Sequence, residues 1–298
     1  MKIQWYPGHM TRAKRNMSAD VKLVDLVIEL LDARAPRSSE NPDIRKLAAG
    51  KKRLVLLNKA DLADEGKTRQ WISAFRAEGC EVVAMDSRRR DAIGLVKQAV
   101  LRLSEERRAR DKARGILNQR PVKAMICGIP NVGKSTFINS LVGKASAKTG
   151  DKPGVTKGNQ WLSIGNEFLL LDTPGVLWPK FEDASVGVRL ALLGSINDEI
   201  INREELAMQL LSLLLSEYPK ELFGRYAFAE ADLEEQLSAS EDMDVIGLDR
   251  RVLAALALVA ERRSCLKRGG VPDYERAARL LIDDLRSGRL GRISLETP

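Results

Sequence analysis

The segment Gly128-Ile-Pro-Asn-Val-Gly133-Lys134-Ser135 sets glycine, lysine and a hydroxyl at a spacing that can hold a phosphate chain. The backbone N–H groups of such a loop and the first turn of the helix behind it surround phosphate oxygens. Lys134 adds a point charge, and the Ser135 hydroxyl can ligate Mg²⁺. An apolar run at 122–127 precedes the loop and a helical pattern at 134–142 follows it, the context this chemistry needs. Further on, Asp172-Thr-Pro-Gly175 closes another apolar run. A carboxylate at Asp172 can hold Mg²⁺ directly or through a water, and the Gly175 N–H can reach a γ-phosphate. Alone, this tetrapeptide reads as a plain turn; behind a phosphate loop it reads as the second half of one site.

A third cluster, Asn58-Lys59-Ala60-Asp61, follows the run at 53–57. Its carboxylate could accept two hydrogen bonds from the N1–H and 2-amino group of guanine, which adenine does not offer. Loss of such buried pairing rejects a wrong base strongly. The three clusters together predict a site for a guanine nucleotide, with Asn131, Val132, Gly133, Lys134, Ser135 and Thr136 around its phosphates.

The elements that position these residues follow from periodicity. Apolar, β-branched runs at 23–31, 53–57, 81–85, 122–127, 159–164 and 167–171 read as six strands, and several are apolar throughout, as in a parallel sheet covered on both faces. Helical patterns at 64–78, 91–114 and 134–142 lie between them, so an α/β sheet with right-handed crossovers is expected. Only Gly165 and Asn166 separate the last two runs, which predicts an edge hairpin. Beyond 178 the strand signal stops, and helical spacing recurs at 186–193, 204–215, 250–260 and 274–287. The predicted division is 1–178, an α/β domain with a basic segment at 1–20, and 179–298, an all-helical domain.

Charge separates the chain further. Its 298 residues carry a formal net charge of +8, of which residues 1–120 contribute +11, 121–178 +3 and 179–298 −6. Within the last part, 228–249 holds eight acids and no base. Two basic regions flanking an acidic one suggest contact with a phosphate-rich polymer, solubility being the plainer reading. With 44% apolar residues the chain can bury a core, and no run approaches the ~20 residues that span a bilayer. The Met1–Met10 stretch lacks the apolar core of a secretory signal. Three scattered cysteines and one histidine, His9, indicate neither a disulfide framework nor a zinc site, and a reducing cytoplasm is the expected setting.

In a Ras-like GTPase the guanine motif follows the phosphate motifs, whereas here it precedes them, as in a circularly permuted GTPase. The chain resembles the ribosome biogenesis GTPase A (YlqF/RbgA-type) family in Trp5-Tyr-Pro-Gly-His9-Met10, Asp32-Ala-Arg34-Ala-Pro36, the phosphate loop through Thr136, Pro153-Gly-Val-Thr156, Asp172-Thr-Pro-Gly-Val-Leu-Trp-Pro-Lys180 and Gly288-Arg-Leu-Gly-Arg-Ile-Ser-Leu295. The resemblance implies a GTP-hydrolysing assembly factor that binds a late precursor of the large ribosomal subunit through rRNA and leaves after hydrolysis. It further implies GTP/GDP and Mg²⁺ as ligands and a monomer in the cytoplasm. Guanine contacts fall to Asn58, Lys59, Ala60 and Asp61, with Asp86 and Ser87 in the turn after the next strand, where the usual Lys is replaced by Arg88. Thr156 corresponds to the switch threonine that senses Mg²⁺ and γ-phosphate. Asn131 either helps hold a K⁺ ion or serves turn geometry. Val176 stands where Ras-like enzymes orient water with Gln, so hydrolysis should be slow alone and stimulated by ribosomal subunits. His9 is the candidate group to assist it, RNA contact or helix capping being the other readings. For RNA the candidates are Arg12, Lys14, Arg15, Arg262, Arg263, Lys267, Arg268, Arg289 and Arg292, while the mixed-charge helix ending near Arg114 reads as a solvated connection between the two halves. A switch that scarcely hydrolyses GTP, a GTPase acting on small-subunit or other RNA, and an ATP-using enzyme remain alternatives.

Overall fold

The computed structural model describes residues 17–116, 120–142, 160–166, 168–178, 181, 183–238 and 250–298. Six strands form one sheet in the order β3-β2-β1-β4-β6-β5. They are β1 (Leu26–Asp32), β2 (Lys52–Asn58), β3 (Glu81–Ala84), β4 (Val122–Gly128), β5 (Gln160–Ile164) and β6 (Phe168–Asp172). All neighbours pair parallel except β5, which returns antiparallel on β6 at the edge. Each strand overlaps an apolar run of the sequence. The first run overshoots at its start, because Val21–Leu23 forms a 3₁₀ turn.

Helices α1 (Pro36–Ser39), α2 (Pro42–Leu47), α3 (Glu65–Ala77), α4 (Arg90–Ala113) and α5 (Lys134–Val142) accompany the sheet. Asp64 caps α3 by accepting the Lys67 N–H at 2.8 Å, satisfying a donor that the first turn cannot pair internally. The sheet's two faces follow the period of two: Leu54 and Leu56 of β2 enter the large core, whereas Val55 and Leu57 pack with Trp71 and Phe75 of α3 on the other side.

Beyond the sheet lie α6 (Ala184–Leu192), α7 (Arg203–Glu217), α8 (Pro219–Tyr226), α9 (Glu230–Ser238), α10 (Arg250–Arg262) and α11 (Tyr274–Ser287). α8 and α9 were not legible as periodic segments, and α9 buries only Leu233. The large core is continuous from Val27 and Ile126 in the sheet to Leu210, Leu258 and Leu281 in the helices. After α11 the chain turns back: the Ile293 N–H donates to the Leu62 carbonyl at 2.9 Å and the Leu295 N–H to that of Arg34 at 2.7 Å. The carboxy-terminal tail therefore lies along the loops that follow β1 and β2. Among the described residues, no helix is long and apolar enough to cross a membrane.

Candidate nucleotide site

Because β2, β4 and β6 run in one direction, the loops carrying Asn58–Asp61, Gly128–Ser135 and Asp172–Gly175 emerge at one edge of the sheet, the carboxyl ends where α/β folds place ligands. Asn58 holds two of them together. Its Nδ2 donates to the Val132 carbonyl at 2.8 Å and its Oδ1 accepts the Ser87 N–H at 2.9 Å. A side chain on Gly133 (φ +98°) would collide with that amide, so glycine is required there by both backbone and neighbour. Gly128 is equally constrained, since a Cβ would stand 2.7 Å from the Leu30 carbonyl oxygen.

Beneath these loops lies a buried ion network. Arg34, 1% exposed, grips Asp32 in bidentate fashion, Nε to Oδ1 at 2.9 Å and Nη2 to Oδ2 at 2.8 Å. Lys59 Nζ reaches the same carboxylate at 3.0 Å and donates to the Asn131 carbonyl at 2.9 Å. Burial alone would push the Asp32 carboxyl up; the Arg34 and Lys59 charges overcome this and hold it well below the usual carboxylate range. Burial in turn lowers Lys59, with Asp32 opposing and Arg34 adding to the effect. Lys59 and Asn131, both in the left-handed region at φ +59°, are thus fixed against each other.

Asp61 is a third exposed and its Oδ2 accepts from Arg88 Nη2 at 2.6 Å, while Arg88 also clasps Asp86. The residue in place of the usual Lys therefore occupies oxygens of both acids at the guanine end. At the phosphate end, Lys134 is buried against Asp172. Thr173 Oγ1 donates to the Ile126 carbonyl at 2.8 Å, and a Cβ on Gly175 would lie 3.2 Å from Pro130, so this loop rests directly on the phosphate loop. Ser135 and Thr136 begin α5, half-buried. Ser135 and Asp172 offer the hard oxygen donors that Mg²⁺ takes. Val176 is buried, its carbonyl accepting from Asn41 Nδ2 at 3.0 Å, and it has no group that could orient water.

The helices also touch the site. Asn131 Nδ2 donates to the Gly194 carbonyl at 2.7 Å, just past α6. Arg286 of α11 binds the α6 carbonyls of Ala191 and Leu192 and pairs with Asp198, while Arg34 Nη1 donates to the Leu285 carbonyl at 3.2 Å. The sequence named Asp32 and Arg34 only as part of a resemblance and missed this role.

Among the RNA candidates, Arg262 pairs with Asp232, Arg263 donates to the Arg225 carbonyl and lies 5.3 Å from the Tyr226 ring, and Arg289 pairs with Asp284. Arg292 donates to the carbonyls of Ala63 at 2.7 Å and Ala60 at 3.0 Å, bracing the guanine loop. Lys267 and Arg268 are exposed in a turn ending in Gly269 and Gly270. His9, Arg12, Lys14, Arg15 and Thr156 lie outside the described residues.

A family model described as "50S ribosome-binding GTPase" matches residues 123–245. "Ribosome biogenesis GTPase A" of Priestia megaterium is 43% identical over 298 residues, covering 100% of this chain and 98% of that protein. The chain belongs to the ribosome biogenesis GTPase A family. A crystal structure of GNP-bound YlqF from T. maritima superposes with a TM-score of 0.61 at 30% identity, covering 96% of this chain and 98% of that one. The GDP-bound structure gives 0.59 at 28% identity, covering 95% and 99%. The fold is thus a circularly permuted Ras-like GTPase domain followed by a helical region, and the protein is a guanine-nucleotide-binding GTPase of ribosome assembly.

Proposed function

We propose that this GTPase binds a late precursor of the large ribosomal subunit in the cytoplasm as a monomer, through rRNA, and is released after hydrolysis. The observation that carries the reading is the double attachment of the helical region to the nucleotide loops, at Asn131–Gly194 and at Arg34–Leu285. Occupancy of the phosphate loop then biases the position of the helices, a local event with a global readout. The reaction is in-line attack of water on the γ-phosphate. The loop's N–H groups and Lys134 stabilise the developing charge, which requires Lys134 to exchange Asp172 for phosphate oxygens. Ser135 and Asp172, together with Thr156, would hold Mg²⁺, which would supply charge neutralisation to the phosphates. Val176 cannot assist the water, so turnover is slow until the bound subunit or His9 supplies the missing group. Asn131 contributes to a K⁺ site; equal turnover in K⁺ and Na⁺ buffers would remove it. Lys267 and Arg268 are the exposed RNA contacts of the helical region.

The test is co-sedimentation with purified large and small subunits in a non-hydrolysable GTP analogue or GDP. Selective retention on large subunits with the analogue is expected. Equal retention in both nucleotides would overturn release by hydrolysis, and small-subunit preference would overturn the partner.

A further inference from the structure

Between β2 and α3, the loop carrying Asp61 is a tight turn, in which the Leu62 N–H donates to the Lys59 carbonyl at 2.9 Å. The end of β3 holds its start, the Ala60 N–H donating to the Met85 carbonyl at 3.1 Å. Its other side is held from the far end of the chain. Arg292 Nη2 donates to the Ala60 carbonyl at 3.0 Å and Nε to the Ala63 carbonyl at 2.7 Å, so one guanidinium bridges the backbone on both sides of Asp61. The Ile293 N–H donates to the Leu62 carbonyl at 2.9 Å, and Ser294 Oγ accepts the Asp64 N–H at 3.0 Å. These consecutive tail residues are themselves fixed. Ile293 and Ser294 are buried, and the Tyr218 hydroxyl donates to the Ser294 carbonyl at 3.1 Å and accepts its N–H at 3.2 Å. Arg189 of α6 donates to the Leu295 carbonyl at 3.2 Å. The last nitrogen of the Arg292 guanidinium, Nη1, faces Glu65 at 3.6 Å, so all three meet groups of this chain.

We propose that Arg292 is a positioning residue for guanine: with Ile293 and Ser294 it fixes the backbone around Asp61 and so aims that carboxylate at the N1–H and 2-amino group of the base. Main-chain bonds from Ile293 would suffice to dock the tail. The rigid fork of a guanidinium adds a fixed relation between two carbonyls, which a flexible side chain with one donor does not supply. A carboxylate that accepts two bonds from one base edge must be held to about 0.5 Å, and Asp61, a third exposed, gains that precision from the backbone beneath it. The inference rests on the reading of Asp61 as the guanine acceptor. It assigns part of base selection to a residue that lies 232 positions from Ala60 and 229 from Ala63.

The full-length protein is loaded with fluorescent GDP and competed with unlabelled GDP or inosine diphosphate, which keeps the N1–H of guanine but lacks its 2-amino group. The wild type is expected to prefer GDP by roughly 10- to 100-fold, the scale of one hydrogen bond to a charged group. Arg292→Ala is expected to lower that ratio by roughly 3- to 10-fold, with inosine diphosphate affected less than GDP. Arg292→Lys, which can hold one carbonyl but not both, should fall between. Equal weakening of both nucleotides in Arg292→Ala, at an unchanged ratio, would overturn the proposal, because the arginine would then serve only the stability of the loop. If Arg292→Ala binds neither nucleotide, the ratio in Arg292→Lys decides in the same way. Asp61→Ala is the control for the reading beneath the proposal and is expected to bring the ratio near parity. A ratio kept by Asp61→Ala, or a wild type without preference, would overturn Asp61 as the guanine acceptor. A ratio lost in Asp61→Ala but kept in both Arg292 variants would overturn the role of Arg292 alone.

Discussion

Strand β1 carries two buried carboxylates, Glu29 and Asp32, each 1% exposed, and the fold treats them in opposite ways. Asp32 receives two charges in good geometry, from Arg34 and Lys59, and stays ionised. Glu29 has one, Arg53 Nη2 at 2.7 Å, which it shares with Glu40, and its Oε1 has no hydrogen-bond partner. Burial pushes the Glu29 carboxyl up to about 7, Arg53 opposing and Glu40 adding to the rise. The difference is one of use. The Asp32 cluster ties the phosphate loop, the guanine loop and α11 together, so its desolvation cost is offset by the site it organises. The Glu29 cluster is built on arginines away from the nucleotide motifs, and its remaining acid, Glu40, is shared among Arg53, Arg37 and Arg45.

Asp32→Ala leaves buried Arg34 and partly buried Lys59 without their anion and is expected to cost ~3–5 kcal/mol in urea unfolding, with GTP affinity falling as the loops separate. A loss below ~1 kcal/mol would mean that the network is not structural.

Glu29 should behave inversely with pH. A carboxyl raised from 4.5 unfolded to about 7 folded contributes stability that is complete below 4.5 and is lost as pH rises through 7, on the order of 3 kcal/mol. Glu29→Gln removes that dependence, so the variant gains on the wild type between pH 5 and 8. Parallel stability curves would contradict the unequal pairing of the two acids.

Arg286→Ala removes the ties to Ala191, Leu192 and Asp198 without touching either carboxylate. A cost of ~1–3 kcal/mol is expected, together with a weaker response of subunit binding to the nucleotide state. The smallest effect belongs to Arg88, an exposed partner that occupies one Asp61 oxygen. Arg88→Ala should tighten GTP by up to about 5-fold, the scale of a surface pair, as read by fluorescent-nucleotide titration. Weaker binding would show that Arg88 positions Asp61 rather than competing for it.

Much of this was legible in the chain. Buried parallel strands are apolar throughout, so β2 and β4 announced themselves, and Asp64 and Gly288 mark helix ends by chemistry that acts over a few residues. Asn58, Gly133 and Lys134 were readable because phosphate and guanine recognition fixes residue type and spacing together. The Asp32–Arg34–Lys59 cluster was not, since its members come from two strands and its outer contact, Leu285, lies 251 residues from Arg34. Arg289 and Arg292 were named as RNA candidates from charge and resemblance, and neither signal foretold that Arg289 would pair with Asp284 or that Arg292 would brace the carbonyls of Ala60 and Ala63.

Three motif clusters, the guanine one ahead of the two phosphate ones in the chain, make one GTP site, and the proposed function places its work on the large subunit. GTP turnover with and without purified large subunits, small subunits serving as control, tests it most directly. Slow turnover alone and a large, selective stimulation by large subunits are expected. No stimulation, with GTP still bound tightly, would contradict it and leave a nucleotide-dependent binding switch.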